Sequence, residues 1–285
     1  VDLTVVIPAR NVAAVLPEQL DALLGQEWRG TWEIVVVDNR STDDTARVVE
    51  EYRRRDPRVR LLSAPDRDGV SYARNAAVTA TDSTALAFCD ADDIVGERWV
   101  ATMGEALREH RCVTGPLEVD LLNPRWLAET RGIFPTDRCL TWFGLFPTAS
   151  GGNLGLRRSA WERVGPFDES FAGGEDQEYS FRLYRAGIDV HFEPDALLHY
   201  RFREEASALW HQGRAYGYPR PLLRKRVRDH GLEPPSRVAG WRSWLWLGIH
   251  LPLVTSPEGR SRWSWVAGNR IGQLQGSLHE RSLFV

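Results

Sequence analysis

Lysine is almost missing from this chain: Lys225 is the only one, and every other cationic side chain of this kind is arginine. That absence excludes a phosphate-binding loop or a Schiff-base lysine in the amino-terminal half. Cysteine is scarce as well. Cys89, Cys112 and Cys139 are too few and too scattered for a disulfide framework or a zinc cluster, so a reducing compartment is the simplest setting. No apolar run reaches the roughly 18 residues of a spanning helix. The longest candidate, Trp244 to Val254, contains Gly248, His250 and Pro252. No stretch resembles a signal peptide, and because Val1 is not a start methionine, residues upstream of it are expected. A strong charge of one sign is lacking too: the formal net charge of -3 gives no electrostatic footprint for nucleic acid. What is present, 285 residues that are 42% hydrophobic and 26% charged, is enough for one large domain or a domain with a smaller appendage.

The first half alternates strand-like and helix-like segments. Leu3 to Ile7, closed by Pro8, Glu33 to Val37, Val59 to Leu62 and Thr84 to Cys89 read as buried strands. Between them lie a helical spacing of Leu16, Leu20, Leu23 and Leu24, a helix through Tyr52 that Thr42 can cap, and a helix over Val70 to Ala80. Strands separated by helices of this length predict an α/β fold with a doubly wound parallel sheet, in which ligands bind beyond the carboxyl ends of the strands. Pro8, Asp38 and Asp90 stand at those ends. The second half predicts strands over Cys112 to Asp120, Ser150 to Leu156, Ile188 to Phe192 and Ala196 to Tyr200, and a helix opened by Gly174-Glu175-Asp176. Beyond about Arg203 the pattern is helical and rich in arginine and tryptophan.

Four segments carry candidate chemistry. Phe88-Cys89-Asp90-Ala91-Asp92-Asp93 puts three carboxylates in four positions just past a strand. Mg²⁺ or Mn²⁺ bridging a few carboxylates to phosphate oxygens would relieve their repulsion; a solvated turn that caps the next helix fits the same residues. Asp38, followed by a polar turn, suits an acceptor for a base or ribose donor, while Thr42 to Asp44 are explained as a helix start. In Asp68-Gly69-Val70-Ser71-Tyr72-Ala73-Arg74-Asn75, Gly69 allows close approach to a helix start, and Arg74 can reach a diphosphate one turn on. In Gly173-Gly174-Glu175-Asp176 the glycines leave room, and acids at a helix start are held ionised, as a general base must be. His199, after a short strand, fits a packed residue or a ligand. Gly-x-Gly-x-x-Gly, Gly-x-Ser-x-Gly and His-Glu-x-x-His are absent.

Taken in order, Val5-Val6-Ile7-Pro8-Ala9-Arg10-Asn11, Val37-Asp38-Asn39-Arg40-Ser41-Thr42-Asp43-Asp44-Thr45, Gly69 to Asn75, Asp90-Ala91-Asp92-Asp93, Gly151-Gly152-Asn153 and Gly174-Glu175-Asp176 resemble family 2 glycosyltransferases of the GT-A fold over roughly residues 3 to 200. The resemblance implies a Rossmann-like, mostly parallel central sheet flanked by helices, with a helical appendage. Residues 1–203 would be the catalytic domain, its nucleotide-sugar half about 1–110 and its acceptor half about 111–203, and 204–285 the appendage. It implies an inverting, metal-dependent hexosyl transfer from a nucleotide-diphosphate sugar, UDP or dTDP by default, to a hydroxyl of a glycan, a lipid-linked intermediate or a small molecule, as in cell-wall or polysaccharide biosynthesis. Pro8, Ala9, Arg10, Asp38, Arg74 and Asp90 would bind the nucleotide. Asp92, with Asp90 and His199, would hold Mn²⁺ or Mg²⁺. Gly151, Gly152 and Asn153 would border the sugar and acceptor, and Asp176 would be the catalytic base with Glu175 beside it. The sequence departs from the resemblance at Asn39-Arg40, where a small or acidic residue followed by glycine is more usual, and this bears on base preference.

Two other readings use the same residues. Asp90-Ala91-Asp92 could be nucleophile and acid of a haloacid-dehalogenase-type phosphatase, although that family expects the motif early and a later lysine in its site. A non-catalytic nucleotide-sugar or glycan-binding module needs no complete set of acids. In the tail, Trp241, Trp244, Trp246, Trp263 and Trp265 lie among Arg242, Arg260, Arg262 and Arg270. That mixture suits peripheral membrane contact, packing onto the catalytic domain, or a homodimer contact. A cytoplasmic protein, working there or at the inner face of the membrane, is the expectation.

Overall fold

A computed structural model describes residues 2–131, 134–234, 236, 240–282 and 284. The first part alternates as the periodicity predicts: β1 (Leu3–Ala9), α1 (Leu16–Leu24), β2 (Trp32–Asp38), α2 (Thr45–Arg55), β3 (Val59–Ser63), α3 (Val70–Thr79) and β4 (Ala85–Cys89). Then come β5 (Ile94–Val95), α4 (Trp99–Glu109), β6 (Cys112–Thr114), β7 (Leu117–Glu118), α5 (Arg125–Arg131), β8 (Leu140–Trp142), β9 (Phe146–Thr148) and β10 (Asn153–Arg157). The chain continues with α6 (Arg158–Val164), α7 (Glu175–Arg185), β11 (Val190–Phe192), β12 (Leu198–His199), α8 (Ala206–Gly217), α9 (Arg220–Asp229), α10 (Trp241–Ile249), a 3-10 turn (Leu251–Thr255) and α11 (Pro257–His279).

The main sheet has the order β11-β6-β10-β4-β1-β2-β3. β1 to β4 are parallel and β10 runs antiparallel between β4 and β6. Both faces are covered. Leu3, Val5 and Ile7 of β1 join one buried cluster and Val6 the other, which is why this strand reads as a continuous apolar run. Register places Ala9 beside Asp38. Because β10 is antiparallel, its first residue, Asn153, pairs with the last residue of β4, Cys89. The turn before β10 and the turn after β4 therefore meet at one rim.

Two expectations need correction. Thr42 does not cap α2. Its amide donates to Asn11 Oδ1, and Asp43 Oδ1 accepts from the amide and hydroxyl of Thr45, so the helix starts three residues later. The strand expected over Cys112 to Asp120 is two strands in two sheets. It breaks at Gly115-Pro116, where the chain presses so closely on Ala196 that a Cβ at Gly115 would lie 2.0 Å from the Ala196 carbonyl oxygen.

The carboxyl-terminal helices are joined by glycine. Gly213 and Gly217 of α8 face α11, and Gly268, Gly272 and Gly276 of α11 face α8; at each, a Cβ would meet backbone of the other helix or of Tyr218, just beyond α8. Four-residue spacing puts small residues on one stripe and lets two backbones approach. Alanine in a helix is ordinarily more stable than glycine by about 1 kcal/mol. At Gly272 that sign should reverse, because the new Cβ would lie 2.2 Å from the Arg214 carbonyl oxygen. Gly272→Ala is expected to cost about 1–3 kcal/mol in urea unfolding. Gly248→Ala, with nothing within 4 Å, is expected to be neutral or stabilising.

Candidate functional site

A cavity of about 360 Å³ opens beyond the carboxyl ends of β1 and β4. β1 and the turn after it supply Pro8, Ala9 and Arg10, α3 supplies Arg74, the turn after β4 supplies Asp90 and Asp92, and α7 supplies Glu175. Sequence reasoning missed the rest of the wall: Asn39, then Tyr200, Arg201 and Arg203 after β12, and Gln212 and Tyr216 of α8. The last two stand four residues apart, on the same turns as Gly213 and Gly217. A larger cavity of about 570 Å³ lies at the amino ends of β1 and β4. Its Arg157 and Arg158 are committed to carbonyls of Leu107, Arg108, Ser83 and Val78, and no group there is poised for chemistry.

Arg74 ties the site together. It is 2% exposed, donates from Nη1 to Glu175 Oε1 at 2.7 Å and from Nη2 to Asp90 Oδ1 at 3.1 Å, and lies over the Phe167 ring. Burial opposes its charge, but Glu175 and Asp90 overcome that and hold its proton above the ordinary arginine value. The residue expected to reach a diphosphate therefore lines the cavity with both terminal nitrogens committed to carboxylates. Gly151 and Gly152 close over this pair. A Cβ at Gly151 would lie 2.9 Å from Arg74 Nη1, and one at Gly152 would lie 2.7 Å from Asp90 Oδ2. No larger residue fits there without displacing the ion pair.

The remaining acids differ in setting. Burial, then the Asp90 charge, raises Asp92 above the usual carboxylate range. Asp93 is raised further by burial and both neighbours; its Oδ1 accepts the Arg201 amide and its buried Oδ2 has no partner. Asp176 sits just behind the lining. Its Oδ2 accepts the Gly151 amide at 3.2 Å, its Oδ1 the Gln177 amide at 2.7 Å, and crowding by protein followed by the Glu175 charge pushes it up to about 6.

Besides Gly151, Gly152 and Asp176, three further predicted site residues are not among the wall residues. Asp38 ends β2 and accepts the Ser41 amide, and the lining residue from this turn is Asn39. Asn39 donates to the carbonyls of Ala64 and Arg67 and accepts from the Gly69 amide, so it fixes the start of α3. Asn153 is fully buried. It accepts from the Trp99 indole and donates to the carbonyls of Pro116 and Ala196, which makes it a brace between strands. His199 holds Glu118 through Nδ1 at 2.7 Å, whereas its neighbour Tyr200 faces the cavity.

The donor chemistry near Asp90 and Asp92 fits a hard cation. Three carboxylates reach the cavity, of which Glu175 is held by Arg74 and Asp90 gives Arg74 only one oxygen, and one buried carboxylate oxygen of Asp93 is unpartnered. Among the described residues no group of three or more His, Cys, Asp or Glu is arranged around one point. Two carboxylates without a full protein cage are what Mg²⁺ or Mn²⁺ uses when phosphate oxygens complete the shell.

With this arrangement in view, comparison with known proteins decides the family. The profile of glycosyl transferase family 2 matches residues 4–165, and that of glycosyl transferase family group 2 matches residues 86–268. The chain belongs to glycosyl transferase family 2. Glycosyltransferase AglE of Haloferax volcanii is 26% identical over 199 residues, covering 68% of this chain and 65% of that protein. The pre-mycofactocin glycosyltransferase of Mycobacterium tuberculosis is 28% identical over 268 residues, 86% of this chain and 52% of that protein. This chain thus spans about half to two thirds of the length of these two relatives. Among solved structures, the mannosyltransferase PcManGT from Pyrobaculum calidifontis, in complex with GDP-Man and Mn²⁺, superposes over 98% of this chain and 87% of its own, with a TM-score of 0.67 at 17% identity. TarS 1-349 of S. aureus in complex with UDP-GlcNAc gives 0.59 at 17% identity, covering 99% and 93%. The fold is the GT-A fold. Family membership leaves no room for the phosphatase reading, and Lys225, in α9, is not among the cavity-lining residues.

The ion pair can be tested by stability. Arg74→Met would leave Glu175 and Asp90 without their cation, and removing one partner of a buried pair typically costs about 3–5 kcal/mol. Unfolding by urea should show a loss of this order. Arg47→Met, which breaks exposed pairs with Asp44 and Glu51, should leave the urea midpoint essentially unchanged.

Proposed function

We propose that this chain transfers a sugar, with inversion, from a nucleotide-diphosphate sugar to a hydroxyl of a glycan, lipid-linked or small-molecule acceptor. The observation that carries the reading is one cavity at the strand ends, walled by Pro8, Arg10, Asp90, Asp92 and Glu175, the last next in sequence to Asp176, which accepts the Gly151 amide. The relatives' names support glycosyl transfer, and the GDP-Man and UDP-GlcNAc bound by PcManGT and TarS support the donor class.

In this reading the nucleotide lies against Pro8, Ala9 and Arg10, near the Asp38–Asn39 turn. Arg10 and Arg203 supply positive charge for the diphosphate: Arg10 has only a half-exposed pair with Asp68 to give up, whereas Arg74 is buried between two carboxylates. Asp90 and Asp92 would hold Mn²⁺ or Mg²⁺; the ion, when bound, would neutralise charge growing on the departing diphosphate. Asp176 takes the proton of the acceptor hydroxyl as its oxygen bonds to the anomeric carbon. The bond from that carbon to the diphosphate oxygen breaks, and the electron pair leaves with the diphosphate. A pKa of about 6 makes Asp176 a stronger base than an ordinary aspartate, yet leaves it mostly ionised at neutral pH. Residues 1–110, 111–203 and 204–285 retain their proposed division into donor half, acceptor half and helical region. The third now shares the site through Gln212 and Tyr216.

The pH dependence has a definite sign. A base must be ionised, and a raised pKa delays ionisation, so kcat/KM should be level above about 7 and fall about tenfold per unit below about 6. Asp176→Asn should lower transfer by about 10²–10⁴-fold while leaving donor affinity in place, read by product formation and calorimetric titration of a nucleotide sugar. Asp92→Ala should remove the part of nucleotide affinity that depends on added Mn²⁺. Near-normal turnover by Asp176→Asn would contradict the assignment of the base.

A further inference from the structure

α10 and the 3-10 turn after it carry an exposed apolar face. Trp241, Leu245 and Ile249 recur every four residues and are 56%, 53% and 64% exposed; Leu251, on the turn, is 53% exposed. That spacing keeps the three helical side chains on one face. The other side of α10 is used internally. Leu247 is buried and its carbonyl accepts the Trp263 indole N–H from α11, while Trp246 stacks on His250 beneath the Arg262 guanidinium. Of the tail tryptophans, Trp246, Trp263 and Trp265 make internal contacts, Trp244 is half-buried, and Trp241 faces solvent. Single exposed hydrophobic residues are ordinary, but four within eleven positions, led by a tryptophan, make a patch of the kind that marks an interaction site.

Charge selects the occupant. Between Glu233 and Glu258 there is no acidic residue, and the only charged side chains are arginines. Residues 204–285 hold twelve basic and six acidic side chains, whereas residues 1–203 hold 24 basic and 33 acidic ones. A symmetric contact with a second copy would face one basic segment with another and offers Arg242 no carboxylate partner from within 234–257. Anionic lipid headgroups attract the same surface. There, arginine keeps its guanidinium among the headgroups while tryptophan and aliphatic side chains enter the acyl boundary. Among the described residues no helix is long and apolar enough to cross a membrane, so the contact must lie in the interface plane.

We propose that α10 and its following turn dock on an anionic lipid bilayer, with Trp241, Leu245, Ile249 and Leu251 inserted at the headgroup–acyl boundary. The surface is built into the enzyme body: α10 packs on α11, α11 is joined to α8 by the glycine seam, and α8 lines the cavity. Docking would hold that cavity at a fixed position relative to the membrane.

The test is co-sedimentation of the full chain with phosphatidylcholine vesicles, with and without phosphatidylglycerol, at low and high salt. The wild type should sediment with the anionic vesicles and partition at least about tenfold less onto neutral ones or at high salt. Trp241→Ser/Leu245→Ser/Ile249→Ser should lose about tenfold or more of the anionic binding. Leu245→Glu alone, a single exposed change, should weaken it in the same direction while leaving the thermal unfolding curve in place. Absence of wild-type binding to anionic vesicles, equal binding by wild type and both variants, or a wild-type dimer that the triple variant dissolves would each overturn the proposal.

Discussion

The site depends on one buried cation. Arg74 is brought out of water by α3, and a guanidinium so placed needs carboxylates at hydrogen-bond distance. It takes one from the end of β4 and one from the start of α7, Asp90 and Glu175, the latter 101 positions away in sequence. This contact fastens the second half of the chain onto the first. It also explains the glycine pair before β10, since the backbone must pass within van der Waals reach of the ion pair.

The same interaction sets the electrostatics of the proposed chemistry. Glu175 is the charged neighbour that raises Asp176, and Arg74, which binds Glu175, pulls Asp176 the other way. The basicity of Asp176 is thus the balance of burial, one fixed anion and one fixed cation. Asp90 plays two parts, anchoring Arg74 with one oxygen and facing the cavity beside Asp92, where a cation would complete the charge balance. Transition-state stabilisation by preorganised charge requires such groups to be held before substrate arrives, and here they are held by each other.

The central strands were legible because both faces of β1, β2 and β4 are buried, which writes continuous apolar runs into the sequence. The acids at their ends were legible because turns after parallel strands are where ligands bind in such sheets. What escaped were contacts made by long-range packing. Gln212 and Tyr216 reach the cavity because α8 is pressed against α11, and no local pattern says where α8 lies. The spacing of Gly213 with Gly217, and of Gly268, Gly272 and Gly276, was nevertheless present and could have signalled a close helix pair. Asn153 and His199 stand outside the cavity wall for the opposite reason. Their residue types suit a ligand, but the partners Trp99 and Glu118 engage them within the protein.

The most direct test of the central claim, that these acids share one working cavity, is a crystal structure of the protein soaked with a nucleotide-diphosphate sugar and Mn²⁺. The account predicts the diphosphate between Arg10 and Asp92, Mn²⁺ on Asp92, and the anomeric carbon facing the Asp176–Gly151 side of the cavity. A donor seated instead in the cavity of Arg157 and Arg158, or one bound with Asp92 and Asp176 on opposite sides of a closed wall, would contradict it.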